Sequence, residues 1–407
     1  MNIRVDIWHN ILWSRYKGGV FSELHRECVR RGVVARFFQI AETENVRRGL
    51  AKVDLSYHKY PYRLIAEGSY QDIPRLRLIW VLFWSTLTSP ADIVVLAGYH
   101  KIEYWAQLAA ARVRGKRVMV FCDSTSRDRP RRTFKTLLKR QFFRRCDGFF
   151  CYGQRSRDYL LSYRVPPANV FIRCQAAALP HDYDASRALR NRLGLLRSGG
   201  PPTVLFVGRF APEKNLPALL EAFRKLRDES PECVLVLVGD GPERAALEAI
   251  VTRLALNDAV TFPGALSGEA LYDSYAGATC LVLPSLSEPW GLVVNEALSF
   301  GCPVVVSDRC GCVPELVVEG VTGFSFAATD VDSLATAMAR AIEMTREDPS
   351  TSERCIQFVS KYTPSSAASN VLAGLMALGN ARSATVSHSY LATLKNSFAK
   401  IGAGPWR

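Results

Sequence analysis

Ser285-Leu-Ser-Glu288-Pro-Trp-Gly291-Leu292-Val293-Val-Asn-Glu296-Ala-Leu-Ser-Phe-Gly301 follows an apolar run over residues 278–283. The run has the length and composition of a buried strand, and residues 293–300 have the apolar spacing of a short helix. A strand therefore ends, a loop carries Glu288, and a helix opens near Gly291. Such a helix start offers unpaired backbone N–H groups and the positive end of a helix dipole, which together favour an anion. Glu296 lies about one turn further on, within reach of the same ligand. Two acids at this spacing are equally what a solvated loop and an exposed helix carry, so their chemistry depends on what the rest of the chain places around them.

The same strand, glycine turn and helix recur on both sides of this stretch. Residues 203–207 read as a strand closed by Gly208-Arg209-Phe-Ala-Pro-Glu-Lys214-Asn215, and residues 216–226 as a helix. Residues 234–238 lead into Gly239-Asp-Gly-Pro242, residues 260–262 into Pro263-Gly264-Ala-Leu266, and residues 304–307 into a loop around Gly311. Strands alternating with helices predict a parallel sheet, whose ligands bind at the carboxyl ends of the strands. Arg209 and Lys214 flank one such end, where Arg grips two phosphate oxygens and Lys supplies a point charge. Cations for a diphosphate and acids for sugar hydroxyls describe a nucleotide-sugar site.

The first half repeats the α/β alternation. Residues 3–8 read as a strand, and Gly18-Gly19 opens a helical pattern through Val20, Leu24 and Val29. Glycines there suit a phosphate cradle, although paired glycines also mark ordinary turns. Strands over residues 93–97 and 117–121 end in Gly98-Tyr99-His100 and Cys122-Asp123-Ser124, which makes His100 and Asp123 candidate sugar contacts. Residues 76–87, rich in Trp, Phe and Leu, read as a buried or interfacial helix.

The chain has 407 residues, enough for two domains each with its own core. Its net charge of +14 is unevenly spread. Residues 1–200 hold 36 Lys+Arg against 16 Asp+Glu, and residues 201–407 hold 16 against 22. The densest basic run, from Arg127 to Arg145, has Phe134, Leu137, Leu138, Phe142 and Phe143 interleaved at near-helical spacing. It reads as a basic amphipathic helix suited to an anionic membrane surface or a negatively charged acceptor, or to packing in its own domain. No nucleic-acid reader motif accompanies it, so no nucleic-acid partner is expected. The 11 cysteines lie in apolar contexts and read as reduced, mostly buried thiols. Cys310-Gly-Cys312 lacks the further ligands of a zinc site, and no metal is expected. With no long apolar run at its start or elsewhere, the chain reads as cytoplasmic, with peripheral contact at the inner membrane face.

Taken together, Gly208-Arg209 through Lys214-Asn, Val-Gly-Asp-Gly-Pro242, Val-Thr-Phe-Pro-Gly264, Pro-Ser-Leu-Ser-Glu288 through Glu296-Ala-Leu, and Gly-Cys-Pro-Val-Val-Val-Ser-Asp308 resemble glycosyltransferase family 4. The motifs occur in order over roughly residues 203–325; the first half is similar only in its strand and helix order and in Gly18-Gly19. The resemblance implies an α/β fold of two Rossmann-like domains facing across a cleft, the architecture called GT-B. It implies a retaining hexosyltransferase that moves a sugar from a nucleotide-diphosphate sugar to a glycan, lipid-linked glycan or polysaccharide acceptor, without a cofactor. By the same resemblance Arg209 and Lys214 hold the donor diphosphate, Glu288 contacts the transferred sugar, and Glu296 binds the ribose. The N–H groups of Leu292 and Val293, after Gly291, meet phosphate or sugar; Leu266 lines the base pocket; Gly18 and Gly19 close from the other domain. Many members carry a histidine where this chain has Cys122, so that contact falls to Asp123 or His100, or is absent. The implied boundaries are residues 1–182 for the acceptor-side domain, 183–202 for a linker, 203–362 for the nucleotide-sugar domain, and 363–407 for a helix returning to the first domain plus a tail. A nucleotide-sugar epimerase of the same fold and a noncatalytic sugar- or polyanion-binding protein are the alternatives.

Overall fold

Strands such as Val-Leu-Val-Leu-Val at residues 234–238 are apolar at every position, which suits strands covered on both faces, as parallel strands between helix layers are. A computed structural model, describing residues 3–47, 53–126 and 133–380, forms two such sheets. The first domain runs β1 (Arg4–Ile11), α1 (Arg15–Arg30), β2 (Val34–Ala41), β3 (Tyr62–Leu64), α2 (Arg75–Thr88), β4 (Ile93–Leu96) and α3 (Ile102–Val113). It continues through β5 (Arg117–Cys122), α4 (Thr133–Phe143), β6 (Gly148–Cys151), α5 (Gln154–Ser162) and β7 (Val170–Phe171). Its seven strands lie in the order β3-β2-β1-β4-β5-β6-β7, with every pair parallel.

After α6 (Ala185–Arg197), the second domain runs β8 (Thr203–Val207), α7 (Leu216–Glu229), β9 (Val234–Val238), α8 (Arg244–Arg253), β10 (Val260–Gly264), α9 (Glu269–Gly277) and β11 (Cys280–Leu283). It ends with α10 (Leu292–Ser299), β12 (Val304–Ser307), α11 (Val313–Leu316), β13 (Gly323–Phe326), α12 (Val331–Glu347) and α13 (Thr351–Val359). Its parallel sheet has the order β10-β9-β8-β11-β12-β13. In both sheets the strand order reverses at the first strand, β1 or β8, and a crevice for ligands opens beside such a reversal. The helix that follows each of these strands, α1 or α7, therefore starts at the crevice.

Two cores cover the faces of the first sheet. On one side Leu78, Leu82, Tyr104, Leu108, Phe142 and Leu160 bring α2, α3, α4 and α5 onto the strands. On the other, α1 packs beside α14 (Pro364–Asn380), whose Ala368, Val371 and Leu375 are buried there. The chain thus returns to the first domain after residue 363. All 11 cysteines are buried and unpaired, as their apolar contexts suggest.

Residues 183–202, the stretch expected as a linker, carry a helix. They contain α6, capped by the Asp184 carboxylate on Arg187 N–H, and Ala188 is part of the second core. Arg192 is fully buried and donates to Ser352 Oγ at 2.8 Å and to the carbonyls of Ala278, Ala276 and Tyr275 at 2.8, 3.1 and 3.3 Å. One guanidinium so ties α6 to the end of α9 and to α13. The chain passes between domains earlier, where Ala176 is in the first core and Leu179 packs on the second.

Candidate functional site

β8 ends against the turn after β9, where Gly208 N–H donates to Val238 O at 3.0 Å and Phe210 N–H to Asp240 O at 2.9 Å. The two turns approach so closely that a Cβ on Gly239 would lie 1.8 Å from Gly208 O. Glycine is therefore required there by space, whatever binds nearby. Phe210 is buried between Arg209 and the following turn, which fixes where that loop leaves the strand. Pro212–Lys214 form one tight turn before α7, and Leu286 N–H, from the loop after β11, donates to Glu213 O at 2.9 Å. That bond brings together the two loops on which the expected cations and acids lie.

Lys214 Nζ and Glu288 Oε2 form an ion pair across these loops, with side chains 16% and 17% exposed. Arg209 pairs with Glu213 at 2.6 Å in a more open position. Gly291 caps α10 at φ 100°, a left-handed conformation that favours glycine, and its Cβ would meet Leu283. Leu292 and Val293 follow as the first residues of α10, whose opening N–H groups have no acceptor within the helix. Trp290 is buried and donates from Nε1 to Asn295 Oδ1 at 2.8 Å, which locks the turn that aims the helix start. Of the expected residues, Arg209, Lys214, Glu288, Gly291, Leu292, Val293 and Glu296 thus share the edge of the neighbouring strands β8 and β11. Leu266, after β10, packs partly buried against the same core.

Glu296 lies on α10 and accepts from Tyr275 OH at 2.7 Å. Burial pushes its carboxyl up to about 7, while Tyr275 and Arg15 pull the other way. An acid whose folded value lies above its unfolded 4.5 keeps a proton that the unfolded chain has released. Its contribution to stability is therefore lost as pH rises from about 4.5 through about 7. Replacing Glu296 with Gln removes that slope. Urea melts of the ligand-free protein at about pH 5 and about pH 8 should show the variant gaining on the parent by on the order of 1 kcal/mol. Parallel stabilities across that range would contradict the assignment.

Gly18 and Gly19 are placed differently from the glycine turn expected of them. α1 begins at Arg15, so both lie inside its first turns, and Gly18 N–H already donates to Ser14 O at 2.9 Å. Packing accounts for Gly18, because a Cβ there would stand 2.9 Å from the His58 ring. The opening N–H groups of α1 belong to residues 15–17 instead. Arg15 pairs with Asp54 at 3.5 Å and acts on Glu296 and Tyr272 across the cleft. Lys17 is 2% exposed, with Nζ 4.1 Å from the Phe121 ring, and burial pulls its ammonium down to about 8. Both were missed as site residues. Their position three and one residues before Gly18, at a helix start after the first strand, was the available signal.

His100 and Asp123 follow β4 and β5, which are neighbours in the sheet, and both are exposed at its carboxyl edge. Cys122, where many members of the resembled family have histidine, is fully buried and turned into the core. The domains also touch directly: Arg155 of α5 donates to the carbonyls of Asp308 (2.7 Å) and Cys310, and Gln154 N–H donates to Glu315. A further interdomain cavity of about 420 Å³ lies among Tyr57, His181, Asn295 and Pro364, and of the expected residues only Gly19 lines it. Of the basic run, residues 127–132 lie outside the described residues, Lys139 and Arg140 lie on α4, and Arg144 and Arg145 follow it.

Residues 190–361 match the family model described as glycosyl transferases group 1. The sulfoquinovosyl transferase SQD2 of Arabidopsis thaliana is 38% identical over 37% of this chain and 28% of its own length. The alpha-D-kanosaminyltransferase of Streptomyces kanamyceticus is 35% identical over 48% of this chain and 50% of its own. The chain thus spans half or less of the length of these two relatives. In fold the likeness extends further: the Anabaena HepE structure in complex with UDP superposes over 95% of this chain and 100% of that one, with a TM-score of 0.66 at 16% identity. The two parallel-sheet domains are the GT-B arrangement.

Proposed function

We propose that this chain is a retaining glycosyltransferase that moves a hexosyl group from a nucleotide-diphosphate sugar to a glycan, lipid-linked glycan or polysaccharide acceptor held on its basic first domain. The observation that carries the reading is the Lys214–Glu288 pair, which joins the loops after β8 and β11 beside the start of α10. Arg209, Lys214 and the N–H groups of Leu292 and Val293 offer positive charge to a diphosphate at one end of the site. Glu296, with Tyr275 behind it, offers a carboxylate to ribose hydroxyls. As the bond from the anomeric carbon to the diphosphate lengthens, negative charge gathers on the leaving oxygen. Fixed cations and helix N–H groups stabilise that charge without a metal. Glu288 holds Lys214 in place and turns to the donor sugar when the diphosphate takes the lysine. His100 and Asp123 reach the sugar from the first domain, and the work is done on the cytoplasmic side of a membrane.

A thermal-shift panel of UDP-, GDP- and ADP-sugars tests this reading. One nucleotide should raise the melting temperature, since a ligand at a hundredfold excess over its Kd stabilises the fold by about 2.7 kcal/mol. No shift with any of them would remove the donor site. Conversion of the donor sugar with no acceptor present would instead mark an epimerase.

A further inference from the structure

The helix layer that carries α2, α3 and α4 presents an apolar ridge to solvent. Leu76, Trp80 and Trp84 recur every fourth residue along α2, which puts them on one side of the helix, opposite the buried Leu78, Leu82 and Thr86. They are 76%, 61% and 45% exposed, and the two indoles stack at 5.7 Å with an interplanar angle of 18°. Large side chains aligned in this way are unfavourable in water unless something covers them. α2 packs on α3, and Trp105 of α3 meets Phe142 of α4 at 5.0 Å, so the three helices form one layer. α4 adds exposed Leu137 and Leu138 to it.

Charge identifies what covers the ridge. Neither α2 nor α4 contains an acid, and the one acid on α3, Glu103, is buried and accepts from Tyr70 OH at 2.6 Å. Arg75 and Arg77 are exposed at the start of α2, and Arg144 is exposed just after α4. Tryptophan is at home where an apolar ring and a polar edge are both satisfied, at the level of lipid headgroups, and arginine is drawn to the negative potential of an anionic leaflet. A single row of side chains along one helix face suits a fluid bilayer better than a folded partner. We infer that α2 docks this domain on an anionic lipid surface, with Trp80 and Trp84 at the headgroup level and Leu76 reaching the acyl boundary. This adds α2 to the membrane contact expected of the basic run of residues 127–145. It also makes a membrane-borne acceptor the substrate class, a consequence that rests on the glycosyl-transfer reading.

Cosedimentation of the full chain with vesicles tests the docking without any nucleotide sugar, so its failure is separate from failure of the donor site. Vesicles of phosphatidylcholine with one part in four of phosphatidylglycerol should bind the protein, and pure phosphatidylcholine should bind it far less. Both indoles are exposed, so Trp80→Ser/Trp84→Ser should melt at the parent temperature while binding the mixed vesicles at least about tenfold more weakly. Raising the salt should weaken the parent's binding. No binding to the mixed vesicles, or equal binding by the double variant, would overturn the inference. Self-association that the double variant abolishes, without vesicle binding, would assign the ridge to a second copy of the chain and overturn it equally.

Discussion

Lys214→Ala is expected to lower the turnover of sugar transfer by about 100- to 1,000-fold at saturating donor, the range for removing one fixed stabiliser of transition-state charge. The lysine is the less exposed of the two cations, and it is held in place from both sides. The Pro212–Lys214 turn fixes its backbone, and Glu288 fixes its ammonium. Its removal does two things. It takes a positive charge from the leaving diphosphate, and it leaves the Glu288 carboxylate without its cation beside an incoming anion. Arg209, more open and paired within its own turn to Glu213, should show a smaller loss. A double-mutant cycle of Lys214→Ala and Glu288→Ala separates the contributions, because contacting residues couple while distant ones add. Release of nucleoside diphosphate under saturating donor and acceptor is the measurement. Unchanged turnover in Lys214→Ala would reduce the pair to a structural tie between two loops.

Arg192→Ala should cost on the order of 3 kcal/mol of stability, since a buried acceptor left unpaired costs about 1–3 kcal/mol. The guanidinium is fully buried, and its Nε and Nη1 groups serve four acceptors on α9, the residue that follows it, and α13. Truncation strands those acceptors without water and opens a cavity beside Gly301, whose Cβ would already stand 2.8 Å from Arg192 Cδ. Urea denaturation reads the loss directly. A change below about 1 kcal/mol would mean that water replaces the arginine there.

Those two residues show where the sequence was readable. Lys214 lies in a loop bounded by an all-apolar strand and an amphipathic helix, and the same alternation marked β1, β4 and β5 of the first sheet and β8 to β12 of the second. Parallel strands buried on both faces leave that signature whatever their partners, so the order of elements was legible. The edge that gathers Arg209, Lys214, Glu288 and Glu296 follows from it, because loops after neighbouring parallel strands meet at one side. Arg192 left no such trace. In sequence it is one arginine among five in residues 187–197 and 173, flanked by the Gly and Pro of an apparent linker, and only the tertiary fold decides that it points inward. Gly18 misled for the opposite reason: a glycine pair suggests a turn, whereas α1 already begins at Arg15, after Ser14. The exposed side of α2 was half legible, since its Trp and Leu fitted either a buried or an interfacial helix. Packing on α3 settled which residues face out.

Calorimetric titration tests whether the edge shared by β8 and β11 holds the donor diphosphate. The nucleoside diphosphate selected by the thermal-shift panel is titrated into the parent, into Lys214→Ala, and into Arg224→Ala, which alters an arginine on α7 paired at 2.9 Å with Asp228 and away from the site. Loss of a charge-assisted phosphate contact is worth about 1.5–3 kcal/mol, so Lys214→Ala should bind at least about tenfold more weakly while Arg224→Ala binds as the parent does. Equal affinity in all three proteins would contradict the account.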